Sequence, residues 1–545
     1  MSNGASPAAT GPTTTTSTKW LALTAMMFAV AMMFIDQTIV SIAVPTIQSE
    51  LGLSEAGVQW MVNGYLLSLS AFFALGGRLS DILGHKRMVL LGVVIFAVSS
   101  AMCGATPASS LAEAWLVFFR IVQGIGAALL FPAALAIVVS SFPIKERGKA
   151  LALFFGVTGG LTAIGPILGG WLSEWSWRAI FWVNVPIAII AVILTLMAKI
   201  HTKHKREPLD YKGAVLIALG MGFSVLGLQQ ASSWGWTSPK TIGAIVLGLV
   251  LLAVFVKVET KVAIPLIKVE IFKDRAFFVD NAVLFFAMMA FVPVFFFGSV
   301  YSQAVLGYDA SSAGLYLLTF FAGFAPAVQV GGRILDSRGA RGPVILGSAI
   351  AAIGFFLWAG KLTDYSLGAQ WPYIVVAGAG IGLLLGPAST DAVNRAINAS
   401  YGEVTGINQT IRNYGSSLGL AIFGTILINA NSAKITATLT GFGIPSTQAD
   451  SIGQSIADGT SRGGGQFPTG IPASVQDQIK SAIQLDFAQA NQVVFYGMSV
   501  ALVVAFIVAL FHPGGMITEE VHIPEESGPD SELSLEPTPG STDGS

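Results

Sequence analysis

The feature that most restricts this chain is a rhythm of apolar runs. Each is about 20 residues long and poor in charge, and together they recur roughly fourteen times between residues 20 and 512. Backbone amides in lipid must find partners inside the protein, so runs of this length and composition are helices, not strands. The expected class is an all-α integral membrane protein, its spans grouped six, two and six. Composition agrees, because 11% charged residues is under half the share of a typical soluble protein.

The second constraint is a repeat. GGRLSDILGHKR at residues 76–87 returns as GGRILDSRGARG at residues 331–342, with Gly76/Gly331, Gly77/Gly332, Arg78/Arg333, Asp81/Asp336 and Gly84/Gly339 in register. Each copy ends one apolar run and starts the next, so each is a short loop between spans, and the chain contains two related halves. An aspartate there can cap the following helix or pair with a nearby cation, while glycine permits close approach and positive backbone angles. Conformational-loop candidates are Gly77, Asp81, Gly84, Lys86 and Arg87, with Gly332, Asp336 and Gly339 as second-half counterparts.

Charge sets an expected orientation. Of 29 Lys and Arg, Arg178, Lys240, Lys361, Lys434, Arg462 and Lys480 fall on the outer side when the amino terminus is inside, and Arg120 and Arg412 fall within spans. The remainder face inward, so both termini are expected in the cytoplasm and the protein in the plasma membrane. Domain expectations are a disordered start (1–19), an N-terminal six-helix bundle (20–200), and a basic loop with two linker spans and a cytoplasmic segment (201–275). A C-terminal bundle (276–511) follows, containing a long outside loop (431–490) with a short helix near 475–487, and then an acidic disordered tail (512–545). The first span lacks a small-residue cleavage site and reads as uncleaved. Cys103 is the single cysteine, so no internal disulfide can form.

Ionisable groups inside spans point to function by default. Asp36 lies in the first span, and Arg120 in the fourth with Gln123 one turn on. The spans run in opposite directions, so both charges are expected in the outer half of the membrane, where they can pair directly or through water. An approaching cationic substrate would then compete with the proton for Asp36, the basis of exchange. A helix-packing aspartate and an arginine that only neutralises it are the structural alternatives.

The fifth span carries Gly156, Gly160, Gly165, Pro166, Gly169 and Gly170, a density suited to tight packing and bending. Asp280 and Asn281 fall near the inner boundary, within reach of solvent. Asp391, Asn394 and Arg395 fall at the cytoplasmic mouth. Thr405, Asn408, Gln409, Arg412 and Ser416 form one helical stripe that lines a cavity or seals an interhelical contact, with Asp391 as a balancing charge for Arg412.

These motifs together resemble the major facilitator superfamily, and within it the fourteen-span drug:proton antiporters, over residues 20 to 512. GGRLSDILGHKR resembles the superfamily's loop signature, FFRIVQGIGAA its fourth-span signature, and GLTAIGPILGG the fifth-span signature of exporters. FIDQTIVSIAVP, WSWRAIFWVNVPI and GINQTIRNYGSSLGLAIFG look like signatures of the fourteen-span branch. The resemblance implies the major facilitator fold, two pseudo-repeated six-helix bundles around an alternately opening cavity. It further implies export of amphiphilic, often cationic, small molecules in exchange for protons, with Asp36 and Arg120 at the family's coupling positions. Ile82 and His85 depart from the loop signature's usual basic residues, leaving Lys86 and Arg87 to replace them.

No cofactor is expected beyond the proton gradient, nor any metal or nucleic acid, and the functional unit is expected to be a monomer in the bilayer. No phosphate-cradling loop, metal-ligand spacing or nucleophile constellation points to an enzyme. A dedicated exporter of one metabolite, antibiotic, lipid or siderophore shares every motif, and a proton-coupled importer or a membrane sensor remains as a rival.

Overall fold

The computed structural model describes all residues except 1–15, 199, 201–207, 209, 263, 396–400, 462–472 and 516–545. The expectations for the extreme termini and most of the basic segment therefore lie outside the described residues. The first half comprises α1 (Thr16–Leu51), α2 (Glu55–Leu83), α3 (His85–Gly104), α4 (Ala112–Ser141) and α5 (Ile144–Trp175), then the short α6 (Ala179–Trp182) and α7 (Asn184–Met197), which together make one span. Two helices follow, α8 (Tyr211–Trp234) and α9 (Pro239–Glu259). The second half contains α10 (Arg275–Ala304), α11 (Ala310–Arg338), α12 (Arg341–Ala359), α13 (Leu367–Arg395), α14 (Tyr401–Gly441), α15 (Ser446–Ser461) and α16 (Ala473–Ala509).

Local chemistry starts several of these helices. Ser54 accepts from the Gly57 amide, Asp210 from Lys212 and Gly213, Asp274 from Phe277 and Asp309 from Ser312, each satisfying amides that the helix itself cannot pair. Thirteen spans among the described residues are long and apolar enough to cross a membrane. Helix α5 supplies the fourteenth, since residues 150–173 carry no charge. The chain is a multi-pass membrane protein.

The two halves repeat one packing plan. Helix α4 packs on α2 and α3 as α13 packs on α11 and α12, and α1 lies on α5 as α10 lies on α14. The halves meet through α5 against α11 and through α2 against α14, two contacts exchanged by the same pseudo-symmetry. Helix α8 covers one side of that seam, resting on α2 and α14, while α9 touches chiefly α8 and is mostly exposed. An apolar helix so exposed needs lipid around it.

The repeat glycines have two distinct jobs. Gly84 (φ 93°) and Gly339 (φ 83°) hold the positive angles that turn α2 into α3 and α11 into α12. Gly76 and Gly331 lie against backbone carbonyls of Ala128 in α4 and Leu383 in α13, where a Cβ would collide.

Three expectations change. The segment 431–490 is mainly helical among its described residues: α14 continues to Gly441, and the helix near 475–487 is the start of α16 rather than a separate element. Gly156 and Gly160 face open space, whereas Gly165 lies against Ile35 and Thr38 of α1, so only part of the α5 glycine run packs tightly. The close small-residue contact appears instead in α14, where Gly415 and Gly419 rest on the backbone of Phe285 and Met289 in α10. Pro166 lies within the continuous α5.

Candidate functional site

Asp36 of α1 is fully buried. Arg120 of α4 donates from Nη1 to its Oδ2 at 2.5 Å, and Gln123 donates from Nε2 to its Oδ1 at 2.9 Å. Helical spacing places Gln123 one turn from Arg120, so the same guanidinium nitrogen also reaches the Gln123 carbonyl at 2.8 Å. Arg120 Nε donates to the Met61 carbonyl at 3.1 Å, and its cation lies 4.4 Å from the centre of the Tyr65 ring. The sequence expectation that these three residues converge is met by direct contact. Each carboxylate oxygen has a donor and the charge is balanced, so the trio is a closed unit joining α1 to α4.

The second half places its intramembrane cation differently. Arg412 of α14 lies 5.0 Å from the ring centre of Phe155 in α5, across the seam between the halves. Its Nε and Nη1 have no hydrogen-bond partner although the residue is buried. Asp391 does not balance it: that carboxylate accepts from Arg395 Nε at 2.6 Å and lies 3.2 Å from His512 Nε2. The rest of the predicted stripe also faces the seam or α10. Thr405 reaches the Pro132 carbonyl at 3.3 Å and Asn408 reaches Asn281 at 3.4 Å, while the Gln409 carbonyl oxygen is buried without a partner.

The repeated aspartates reach across the molecule as well as within their own loops, where His85 Nε2 lies 3.8 Å from Asp81 Oδ1. Asp81 of the first half accepts from the Glu403 amide in the first turn of α14 at 2.9 Å. Asp336 of the second half lies with Oδ1 against Gly148, in the second turn of α5. Each carboxylate thus meets a helix of the opposite half near its N-terminal end, Asp81 at the first turn of α14, where an anion is stabilised, and Asp336 one turn into α5. Arg147 adds a bond to Asn394 at 3.0 Å, and the Glu403 carboxylate accepts from the Lys268 amide at 2.5 Å. These contacts cluster at the end of the molecule that carries the two repeat loops, called here the motif face, and those of Asp81, Asp336 and Arg147 clamp the halves shut there. Lys86 and Arg87 do not contribute: Lys86 donates to the last carbonyls of α7 and Arg87 is exposed.

Comparison with known proteins now decides the family. The Major Facilitator Superfamily model matches residues 26–420. The chain belongs to the Major Facilitator Superfamily. It is 31% identical over 411 residues to the tetracenomycin C resistance and export protein of Streptomyces glaucescens, covering 75% of this chain and 76% of that one. It is 33% identical over 447 residues to the cephamycin export protein CmcT of Amycolatopsis lactamdurans, covering 78% and 88%. Among solved structures, the proton:xylose symporter XylE matches with a TM-score of 0.55 at 13% identity, covering 92% of this chain and 98% of XylE, which supports the fold alone. The protein is a major facilitator transporter, not an enzyme.

Within this major facilitator chain, sequence reasoning missed one whole group. Asp280 and Asn281 are buried rather than solvated, and Asp280 meets Asp391 and His512 in a single cluster. A carboxylate at the first turns of α10 and a histidine after α16 were visible in the sequence. Their meeting depends on how α10, α13 and the end of α16 converge. Among the described residues no other His, Cys, Asp or Glu group has its ligand atoms arranged as a metal would need.

Proposed function

We propose that this transporter exports amphiphilic small molecules from the cytoplasm across the plasma membrane in exchange for protons, with both termini inside. The export direction and drug-like cargo are supported by relatives named for tetracenomycin C and cephamycin export. The basic residues around the motif face support its cytoplasmic placement.

The observation that carries the coupling is the closed Asp36, Arg120 and Gln123 unit. A proton on Asp36 removes the charge that Arg120 compensates, and a buried cation without its partner is strongly unfavourable. The protonated state therefore favours separation of α1 from α4, and deprotonation favours their closure. Because α1 also packs on α5, and α5 on α11, this local change acts on the seam between the halves. Alternating access would follow as one half rocks against the other.

Cargo charge is where the geometry departs from the family expectation. Asp36 already has its cation, whereas Arg412 has unpaired nitrogens at the seam. This balance favours cargo with a carboxylate, phenolate or other electron-rich group beside its apolar body over a simple cation.

The test is transport in inside-out vesicles under an imposed pH gradient, using one anionic and one cationic fluorescent amphiphile. Wild type is expected to accumulate the anionic probe in a gradient-dependent way, and Asp36→Asn to lose that dependence. Equal gradient-driven uptake by Asp36→Asn would remove Asp36 from the coupling role, and a preference for the cation would overturn the reading of Arg412.

A further inference from the structure

The cluster at the second-half end of the motif face has a composition that neither the repeat nor the closed Asp36 unit explains. His512, which follows α16, places Nε2 3.3 Å from Asp280 Oδ1 of α10 and 3.2 Å from Asp391 Oδ2 of α13. All three residues are buried, Asp280 completely, and neither Asp280 oxygen has a hydrogen-bond partner. Arg395 pairs with Asp391 and also donates from Nη2 to the Gly514 carbonyl at 2.8 Å, tying the segment after α16 to α13. Other groups facing the cluster are Asn281 of α10, bonded to Asn408 of α14, and Arg341 of α12, whose alkyl chain lies against Gly514.

Two carboxylates and one guanidinium leave one uncompensated negative charge beside a neutral imidazole. A buried charge of that kind takes up either a cation or a proton. A metal fits poorly for two reasons. The Gly514 amide donates to His512 Nδ1 at 3.0 Å, so the proton of a neutral ring sits on Nε2, the atom a metal would need. The Asp391 oxygen facing the ring is the one already held by Arg395, which sets a fixed positive charge beside the place an ion would occupy.

We infer that Asp280, Asp391 and His512 hold one exchangeable proton, and that this proton docks the segment 510–515 onto α10 and α13. With the proton on Asp280, the group is neutral, the carboxyl can donate to its neighbours, and the Gly514 bond to the ring is kept. Asn394, one turn from Asp391, is the residue that bonds Arg147 of the first half, so the docked segment braces the end of α13 from which the inter-half clamp reaches. The site is separate from Asp36 in position and in consequence.

The pH window is that of the one proton the cluster shares between the Asp280 carboxylate and the imidazole, and the imidazole reports it. Burial lowers its affinity for a proton, but the two carboxylates outweigh burial and raise it to about 9 from 6.5. A raised group stabilises the docked form fully below about 6.5, and that contribution is lost as pH rises through about 9.

The test is a distance, so its outcome is independent of whether Asp36 couples transport. In a Cys103→Ala background, spin labels at Pro513→Cys and Ser337→Cys are measured in lipid nanodiscs across that range. The expected result is one narrow distance at low pH, falling to less than about half of the population above the transition. Asp280→Asn, whose amide imitates the protonated carboxyl, is expected to keep the narrow distance throughout. An unchanging wild-type distance overturns the inference, as does an unaltered transition in Asp280→Asn. Loss of docking at low pH on adding a chelator also overturns it, in favour of a metal.

Discussion

Arg120 and Arg412 are both buried intramembrane arginines, one in each half, and their surroundings differ in kind. Arg120 has a carboxylate, an amide, a backbone carbonyl and an aromatic face, all contributed by α1, α2 and its own helix. Arg412 has an aromatic face from the opposite half and two nitrogens without partners. A satisfied charge holds elements together and resists change, while an unsatisfied one at a seam can respond to whatever enters. Under the proposed function, the first half holds a switch that must be broken and the second half a contact that meets the cargo.

The sharpest way to break that contrast is to remove one partner from each site. Asp36→Ala strands the Arg120 charge and is expected to cost about 3–5 kcal/mol, seen as a large drop in thermal unfolding temperature in detergent. Arg412→Met removes a charge that has no counter-charge, so it should leave stability unchanged or raise it by about 1 kcal/mol while weakening binding of an anionic amphiphile. Equal destabilisation by both variants would mean that Arg412 has a partner after all. The cross-half aspartates extend the comparison to the seam itself. Asp81→Asn and Asp336→Asn should each weaken the clamp by about 0.3–1 kcal/mol, and a longer distance between labels at Arg87 and Ser337 should grow most in the double variant. Unequal single effects would show that the clamp is less symmetric than the repeat. The smallest expected effect is Gly156→Ala, which meets open space and should shift stability by no more than about 0.5 kcal/mol. Gly339→Ala, forced into a positive angle, should cost about 1 kcal/mol or more by the same melting assay.

The motif residues show how far sequence reading can reach. Asp36, Arg120 and Gln123 were recognisable because charge inside an apolar run is costly, and helical spacing set Gln123 on the Arg120 face. Their convergence required only two neighbouring antiparallel spans. Asp81 and Asp336 were equally visible, but their partners lie more than 180 residues away for Asp336 and more than 300 for Asp81. No local pattern links a loop aspartate to the start of a helix in the other half. Arg412 was misassigned to Asp391 for a related reason: proximity of two polar positions in adjacent spans says nothing about which way each helix is rotated.

By itself the sequence determined the membrane class, the helical spans, the duplicated halves and the positions where charge is buried. Those follow from hydropathy, periodicity and the cost of polar groups in lipid, which act along the chain. Only the tertiary structure decided that the repeated aspartates clamp the opposite half, that Arg412 lacks a counter-charge, and that His512 returns to Asp280 and Asp391. Those depend on helix rotation and on which distant ends meet, because electrostatic partners are chosen by distance in space.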